Sequence, residues 1–367
     1  MVLTVLSILA VIIIIGLIWY NTSPEFGGDI SESKVKEYEK TDHYKEGIFI
    51  NKTAVNMDMS AGKMISVMID FIKGTPNGKP THKIEVSKID STTIANNKVI
   101  NQVTWFGHSA FLLELDENKI LIDPMLGNVP APHPMLGSGR YSKELPITIE
   151  ELPFIDAVII SHDHYDHLDY GSIQKLKSKV GHFYVPLGVD AHLIEWGIDT
   201  SKITALDWWE TAKLNDVNLV FTPSRHFSGR GLSDRAATLW GSWVIKGQKD
   251  NIFFSGDGGY GPHFKEIGKK HGPFDFSMME CGQYNKDWAD IHMVPEESAQ
   301  AAKDLNSSVM MPIHWGAFSL SLHSWTDPVE RVIKAANELE IPISTPKIGE
   351  PMNWKSEAVV FPWWVNH

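Results

Sequence analysis

Between Ser161 and Asp169 the chain reads Ser-His-Asp-His-Tyr-Asp-His-Leu-Asp, which puts His162, His164 and His167 beside Asp166 in one short stretch. Buried imidazoles and carboxylates carry polar atoms that must find partners, so packing alone explains such a cluster poorly. A loop at a strand end can instead aim all four at a common cation. Imidazole nitrogen with carboxylate oxygen is the donor set expected for zinc, with iron or manganese as competitors. Cys281 is the sole cysteine, so an intrachain disulfide and a site of several thiolates are both excluded. Any metal must be held by His, Asp or Glu.

A pair of cations needs further ligands, and three residues stand in turn-rich settings after later apolar runs. His226 lies in Ser224-Arg225-His226-Phe227-Ser228-Gly229, Asp257 in Ser255-Gly256-Asp257-Gly258-Gly259, and His314 in Ile313-His314-Trp315-Gly316. Each alone reads equally well as a satisfied loop residue. Their shared placement at strand ends, in the order His, Asp, His, favours ligands.

The run His162-x-His164-x-Asp166-His167, followed by His226, Asp257 and His314, resembles the metallo-β-lactamase superfamily. The resemblance implies an α/β fold, the metallo-β-lactamase αββα sandwich, with two Zn²⁺ ions (Fe or Mn as alternatives). It implies that His162, His164 and His226 hold one metal, that Asp166, His167 and His314 hold the other, and that Asp257 bridges them. Within the superfamily the chain looks most like the N-acylphosphatidylethanolamine-hydrolysing phospholipase D group. The matching segments are Thr104-Trp105-Phe106-Gly107-His108-Ser109-Ala110, Leu121-Ile122-Asp123-Pro124, the His162 run with Tyr165 and Leu168-Asp169, Ser224-Arg225-His226 with Ser228-Gly229-Arg230, and Ile313-His314-Trp315-Gly316 with Phe318. His292, in His292-x-x-Pro295-Glu296-Glu297, also fits that group. By the same resemblance Asp123 orients the nucleophilic water and His292 stabilises the phosphoryl oxygen or the leaving group. The alternatives are a turn residue ahead of Pro124 and a surface histidine at a helix entry. His108 either supports a ligand through its other nitrogen or makes an internal hydrogen bond with no metal role. Gly258-Gly259 departs from the small hydroxyl residue common in the group.

Neighbouring cations lower the pKa of a shared water and offset negative charge in the transition state, so the expected chemistry is hydrolysis. The expected enzyme is a phospholipase D-type phosphodiesterase acting on N-acylphosphatidylethanolamine or a related phospholipid. The rivals are a hydrolase of a soluble lactone or phosphoester, and a metal-binding membrane protein without turnover. Trp208, Trp209 and Trp288 line an acyl groove, sit at a lipid interface or belong to the core; the sequence leaves the three open.

Positioning such a cluster takes many strand ends. Short apolar runs bounded by Gly, Pro and Asp turns predict strands over 102–106, 110–115, 119–122, 157–161, 182–185, 217–222, 239–245, 251–255, 276–279 and 309–313. Helical patterns over 171–178, 191–196, 295–305 and 327–339 interleave with them, which favours sheets covered by helices over an all-β barrel. With 367 residues, 43% hydrophobic and 21% charged, the chain has ordinary globular composition and one sizeable core. A net charge of −12 argues against nucleic acid as a partner.

From Val2 to Tyr20 the chain is almost continuously apolar and uncharged, roughly 19 residues, enough to cross a hydrocarbon core. A cleaved signal would show a basic start, a shorter apolar run and a small-residue cleavage site. Trp19 and Tyr20 stand where an interfacial aromatic belt would be. The expected organisation is therefore a single-pass membrane anchor over 1–20, a polar spacer over 21–100 packing on the catalytic body, and a hydrolase domain over 101–367. Short helices are predicted over 31–40 and 63–73 within the spacer, for which a loosely ordered linker is the alternative.

Overall fold

The computed structural model describes residues 2–57 and 60–367. The chain opens with α1 (Val2–Thr22), long and apolar enough to cross a membrane, with none of its residues buried. Helix α2 (Glu32–Tyr38) follows, then the hairpin of β1 (Tyr44–Lys45) and β2 (Ile48–Phe49), then α3 (Ala61–Lys73) and α4 (Ser91–Asn96). Tyr38, Tyr44 and Phe49 are buried in the main core, so the stretch from α2 to β2 is packed on the body.

The body begins with β3 (Gln102–Trp105), β4 (Phe111–Leu115), β5 (Asn118–Ile122) and β6 (Ile155–Ile159). Next come α5 (Tyr170–Leu176), β7 (Val180–Pro186), α6 (Val189–Glu195) and β8 (Ile203–Leu206). Then follow β9 (Thr211–Leu214), β10 (Val217–Thr222), β11 (Ser242–Lys246), β12 (Asn251–Phe254) and α7 (His263–His271). The chain closes with β13 (Phe276–Glu280), α8 (Pro295–Asp304), β14 (Met310–Ile313), α9 (Asp327–Glu338) and β15 (Pro351–Met352). One sheet runs β15-β3-β4-β5-β6-β7-β8 and the other β14-β13-β12-β11-β10-β9.

Side-chain alternation sorts the first sheet into two layers. Phe111, Leu113, Ile120, Ile122, Ala157 and Ile159 join the core shared with Leu219, Phe221 and Trp243 of the facing sheet. Their neighbours Leu112, Leu121, Val158 and Ile160 face the other way, onto Ile173, Leu176 and Leu193 of α5 and α6. Strands buried on both faces read as unbroken apolar runs, which is how 110–115 and 157–161 stood out in the sequence. On the second sheet, Ala299, Ala302, Val332 and Ala336 of α8 and α9 bury against the core. The result is the αββα sandwich that was expected.

Strand directions gather the loops. β5 and β6 are parallel, as are β12, β13 and β14, and β10 is antiparallel to β11, which is antiparallel to β12. The C-terminal ends of β10, β12, β13 and β14 therefore share one sheet edge.

The expected strands over 157–161 and 239–245 shift. The first spans 155–159, because Ile160 and Ser161 already belong to the turn. The second starts only at Ser242, since Leu239 to Gly241 precede the ladder and a side chain at Gly241 would strike Thr222 O at 2.4 Å. Strands β8 and β9 and helix α7 were not anticipated.

Candidate metal centre

Apart from His292, each site residue expected from the sequence sits in the turn past a strand's C-terminal end. Asp123 follows β5, the His162 run follows β6, His226 follows β10, Asp257 follows β12 and His314 follows β14. Asp169 caps α5, accepting from Ser172 N at 2.8 Å, and so closes the His162 loop into a helix start. Asp163 ties that loop to the His226 loop: it accepts from Gly229 N at 2.7 Å and from Thr238 Oγ1 at 2.8 Å. The buried Arg230 guanidinium adds a bond to Leu168 O at 2.8 Å.

The structure brings the seven sequence-predicted ligand residues together. His164 Nδ1 lies 2.9 Å from His162 Nε2 and 3.3 Å from His226 Nε2. Asp166 Oδ2 lies 3.5 Å from His167 Nε2 and 3.9 Å from His314 Nε2. Asp257 stands between the two groups: Oδ2 is 3.1 Å from His167 Nε2, 3.9 Å from His162 Nε2 and 4.0 Å from His226 Nε2. Its Oδ1 is 3.1 Å from His314 Nδ1.

Residues behind the cluster fix its rings. His226 Nδ1 donates to Ile291 O at 2.9 Å, which turns Nε2 toward the cluster. Asn51 brackets the same loop, donating to His226 O at 2.7 Å and accepting from His226 N at 3.1 Å. His108 Nε2 meets Asp166 Oδ2 at 2.8 Å, the supporting place offered for it in the sequence. His314 adopts φ +67°, and Gly256 has φ +55° with no room for a side chain against Gly241 O at 2.5 Å. Backbone held in the left-handed region at a cluster of polar groups is strain that the surrounding structure must impose.

Asp123 is fully buried behind His167. Its Oδ2 is 2.6 Å from His167 Nδ1 and accepts from Ser161 Oγ at 2.5 Å, while Oδ1 accepts from Ser161 N at 2.7 Å. Both oxygens are thus engaged, and the carboxylate does not line the cavity over the cluster. This differs from the water-orienting place expected for it. His292 does line that cavity, its ring 5.3 Å from His314 and its Nδ1 bonded to Glu280. Glu280, at the end of β13, was missed. The signal was a lone acid closing the apolar run 276–279.

Burial first, then neighbouring imidazoles, push His162 and His226 well below the ordinary histidine range, and burial with His108 does the same to His314. Burial also lowers His167, but Asp257, Asp166 and Asp123 outweigh it and hold that ring well above the usual value. Burial, with Glu280 adding, pushes the Asp257 carboxyl up to about 7. The lowered His162, His226 and His314 rings, facing a buried carboxyl, are what a cation would satisfy. Accordingly, His167 Nε2 and Asp257 Oδ1 are buried without a well-formed hydrogen bond. The His and Asp groups lie close enough to share metal ions.

The cavity above, about 290 Å³, is walled by Met57, Phe227, Trp288, Ile291 and Leu320. A larger one of about 410 Å³, among Lys79, Lys83 and Tyr141, contains none of the cluster. Trp208 is buried, its ring stacked on His43, and Trp209 stacks on His271; of the three tryptophans only Trp288 reaches the cavity.

The sequence profile of the beta-lactamase superfamily domain matches residues 118–315, more than half of the chain. The chain belongs to this family. It is 35% identical over 355 residues to an uncharacterized protein of Mycobacterium bovis, covering 94% of this chain and 93% of the relative. It is 29% identical over 253 residues to an N-acyl-phosphatidylethanolamine-hydrolyzing phospholipase D of Caenorhabditis elegans, covering 65% and 71% of the two chains. A metallo hydrolase from the archaeon Ignicoccus hospitalis superposes with a TM-score of 0.53 at 23% identity, over 69% of this chain and 98% of that one. That likeness is one of fold. The chain is thus a metallo-hydrolase of the beta-lactamase superfamily.

The bonds of Asp123 carry an expectation. Asp123→Asn leaves His167 Nδ1 without its carboxylate, so metal affinity falls about 10–100-fold, the usual cost of losing such a partner. Competition against a chromophoric chelator reads this directly; unchanged affinity would refute the supporting role.

Proposed function

We propose that this protein is a dinuclear phosphodiesterase of the phospholipase D type, hydrolysing N-acylphosphatidylethanolamine or a related phospholipid to phosphatidate and an N-acylethanolamine. The observation that carries the reading is the position of Asp257, shared between a three-histidine group and the group of Asp166, His167 and His314. In this reading His162, His164 and His226 would hold one ion and Asp166, His167 and His314 the other, with Asp257 placed to serve both. Zinc suits the nitrogen-rich donor set, with iron or manganese as alternatives. Two such ions, when bound, supply an activated water near neutral pH and electrostatic stabilisation of the phosphoryl group.

The chain's own residues do the rest. Asp123 holds the His167 ring through Nδ1 and keeps Nε2 aimed forward, which makes it a positioning residue. Glu280 engages Nδ1 of His292, leaving Nε2 for a phosphoryl oxygen or the departing alcohol. Met57, Phe227, Trp288 and Leu320 give the cavity apolar walls suited to lipid. The similarity to the nematode phospholipase supports the phospholipid substrate, and the apolar, uncovered α1 supports a single-pass membrane anchor over 1–20. Residues 21–100 then serve as a packed spacer and 101–367 as the hydrolase domain.

Full-length protein in liposomes containing labelled N-acylphosphatidylethanolamine should release N-acylethanolamine, and a chelator should stop the release. Turnover of soluble lactones or phosphoesters alone would move the assignment to a soluble substrate. Bound metal without any turnover would refute the enzyme. For His292→Ala, kcat should fall about 100-fold with metal content unchanged. A p-nitrophenyl leaving group should shrink that loss if the ring serves the departing alcohol, and leave it intact if the ring serves the phosphoryl oxygen. Unaltered kcat would remove His292 from the reaction.

A further inference from the structure

Outside α1, uncovered apolar surface is concentrated on α3. Met64, Ile65, Met68, Ile69, Phe71 and Ile72 are all exposed, Ile72 by 78%, and no residue of the helix is buried. At about 100° per residue these side chains form one arc, while Lys63, Ser66, Asp70 and Lys73 share the opposite side. A helix of this length is marginal in water without packing on its apolar face, so a face left open here calls for a partner.

The helix is attached to the rim of the metal cavity. Lys63 Nζ pairs with Asp287 Oδ1 at 2.6 Å, and the Phe71 ring stacks on Trp288 with centroids 6.5 Å apart. An apolar groove of about 360 Å³ lies between α3 and Trp288, and it shares Met57 and Trp288 with the cavity over the cluster.

A chain of contacts joins this rim to the exit of α1. Leu232 N donates to Tyr20 Oη at 3.1 Å, and Gly231 N, next to it, donates to Asp234 Oδ1 at 2.8 Å. Arg235 then lies 3.7 Å over the Phe227 ring and reaches Met57 Sδ at 4.0 Å. Phe227 and Met57 both wall the metal cavity. Near the α1 exit further apolar side chains are uncovered: Leu232 by 91%, and Met135 by 86% in the segment whose His133 ring packs edge-on to Trp19.

We propose that α3 lies in the lipid interface of the bilayer that α1 spans, its apolar arc in the acyl region and its lysines in the headgroup layer. The proposal rests on α1 being a retained anchor. An amphipathic helix with lysine on its polar side is suited to that interface, and it brings the mouth of the metal cavity against the bilayer.

Full-length protein carrying Ile72→Cys or Met68→Cys, labelled with an environment-sensitive fluorophore, is reconstituted in phosphatidylcholine–phosphatidylglycerol liposomes containing doxyl-labelled lipid. Cys281 is fully buried and stays unlabelled; Lys334→Cys on α9 is the control. The α3 probes should shift blue and be quenched by the doxyl lipid, the α9 probe should do neither. Protein that floats with the liposomes but shows no α3 quenching overturns the proposal and leaves the anchor standing. Protein that fails to float overturns the anchor reading with it. Quenching replaced by Ile72→Cys cross-linking between chains would assign the face to a second copy and overturn the lipid. The double variant I65E/I72E should raise half-saturating lipid about tenfold and leave bis(p-nitrophenyl) phosphate turnover unchanged; equal loss on both substrates would also count against it.

Discussion

Asp257→Ala should lower hydrolysis at least about a thousandfold, because it removes a carboxylate that faces both ligand groups and with it the spacing on which a paired-ion mechanism depends. Metal content should drop from two ions per chain to one or none, as measured by elemental analysis on the folded protein. The accompanying stability change depends on whether metal is bound. In the metal-free protein the Asp257 carboxyl is buried and raised to about 7 by burial, with Glu280 adding to it, so it is a group the fold accommodates at a cost. Because that carboxyl also pairs with His167 Nε2 at 3.1 Å, the two effects offset and the metal-free variant should melt close to metal-free wild type, while the metal-loaded comparison should strongly favour wild type. A variant that kept both ions and most of its turnover would remove Asp257 from its bridging place. With it would go the dinuclear reading.

Stripping the metals from the wild-type chain should lower its melting temperature by on the order of 10 °C. Each ion present at about a thousandfold above its dissociation constant stabilises by about 4 kcal/mol, about 8 kcal/mol for a pair, and a chain of this size gains roughly 1–2 °C for each kcal/mol. The effect should depend on pH. Burial lowers the His167 ring, the carboxylates of Asp257, Asp166 and Asp123 outweigh it, and the Asp257 carboxyl is itself raised, so a proton held between these two residues must leave before a cation enters. Apparent metal affinity should consequently rise as the pH climbs through about 7 and fall below it, where protons compete. Titrations from pH 6 to pH 8 with a competing chelator, read by melting temperature and not by turnover, would test this; a flat profile would show that neither group must deprotonate.

Much of this molecule was legible in its residues because the ligands are concentrated at strand ends and the strands are buried on both faces. Runs such as Phe111–Leu115 and Val217–Thr222 could scarcely be anything else. β8 and β9 escaped notice because Ile203, Thr204, Thr211 and Lys213 are only part-buried or exposed, and half-solvated edge strands lose the apolar continuity that marks inner ones. Glu280 and Asp123 show a different limit. Spacing says that an acid stands at a strand end, but whether its oxygens face the cavity or the back of a histidine depends on which side of the turn the neighbouring sheet supplies partners. For Asp123 those partners are Ser161 and His167 on the next loop. The amphipathic arc of α3 has a third character. Its helix was readable from the pattern over 63–73, whereas its uncovered face was a property of the packed molecule and had no trace in the pattern.

The exit of α1 is fastened at several points: Arg230 Nε donates to Glu25 O at 2.8 Å, Trp196 Nε1 to Pro24 O at 2.7 Å, and Leu232 N to Tyr20 Oη at 3.1 Å. These bonds tie the exit of α1 to the body and oppose swivelling between the two. On the proposed reading, in which α1 spans a bilayer and the substrate is a lipid, the tilt of the helix dictates the bearing of the body, so the active site would meet that lipid at a fixed height and heading, and lengthening the joint with a flexible insert would cost it that aim even with every ligand intact.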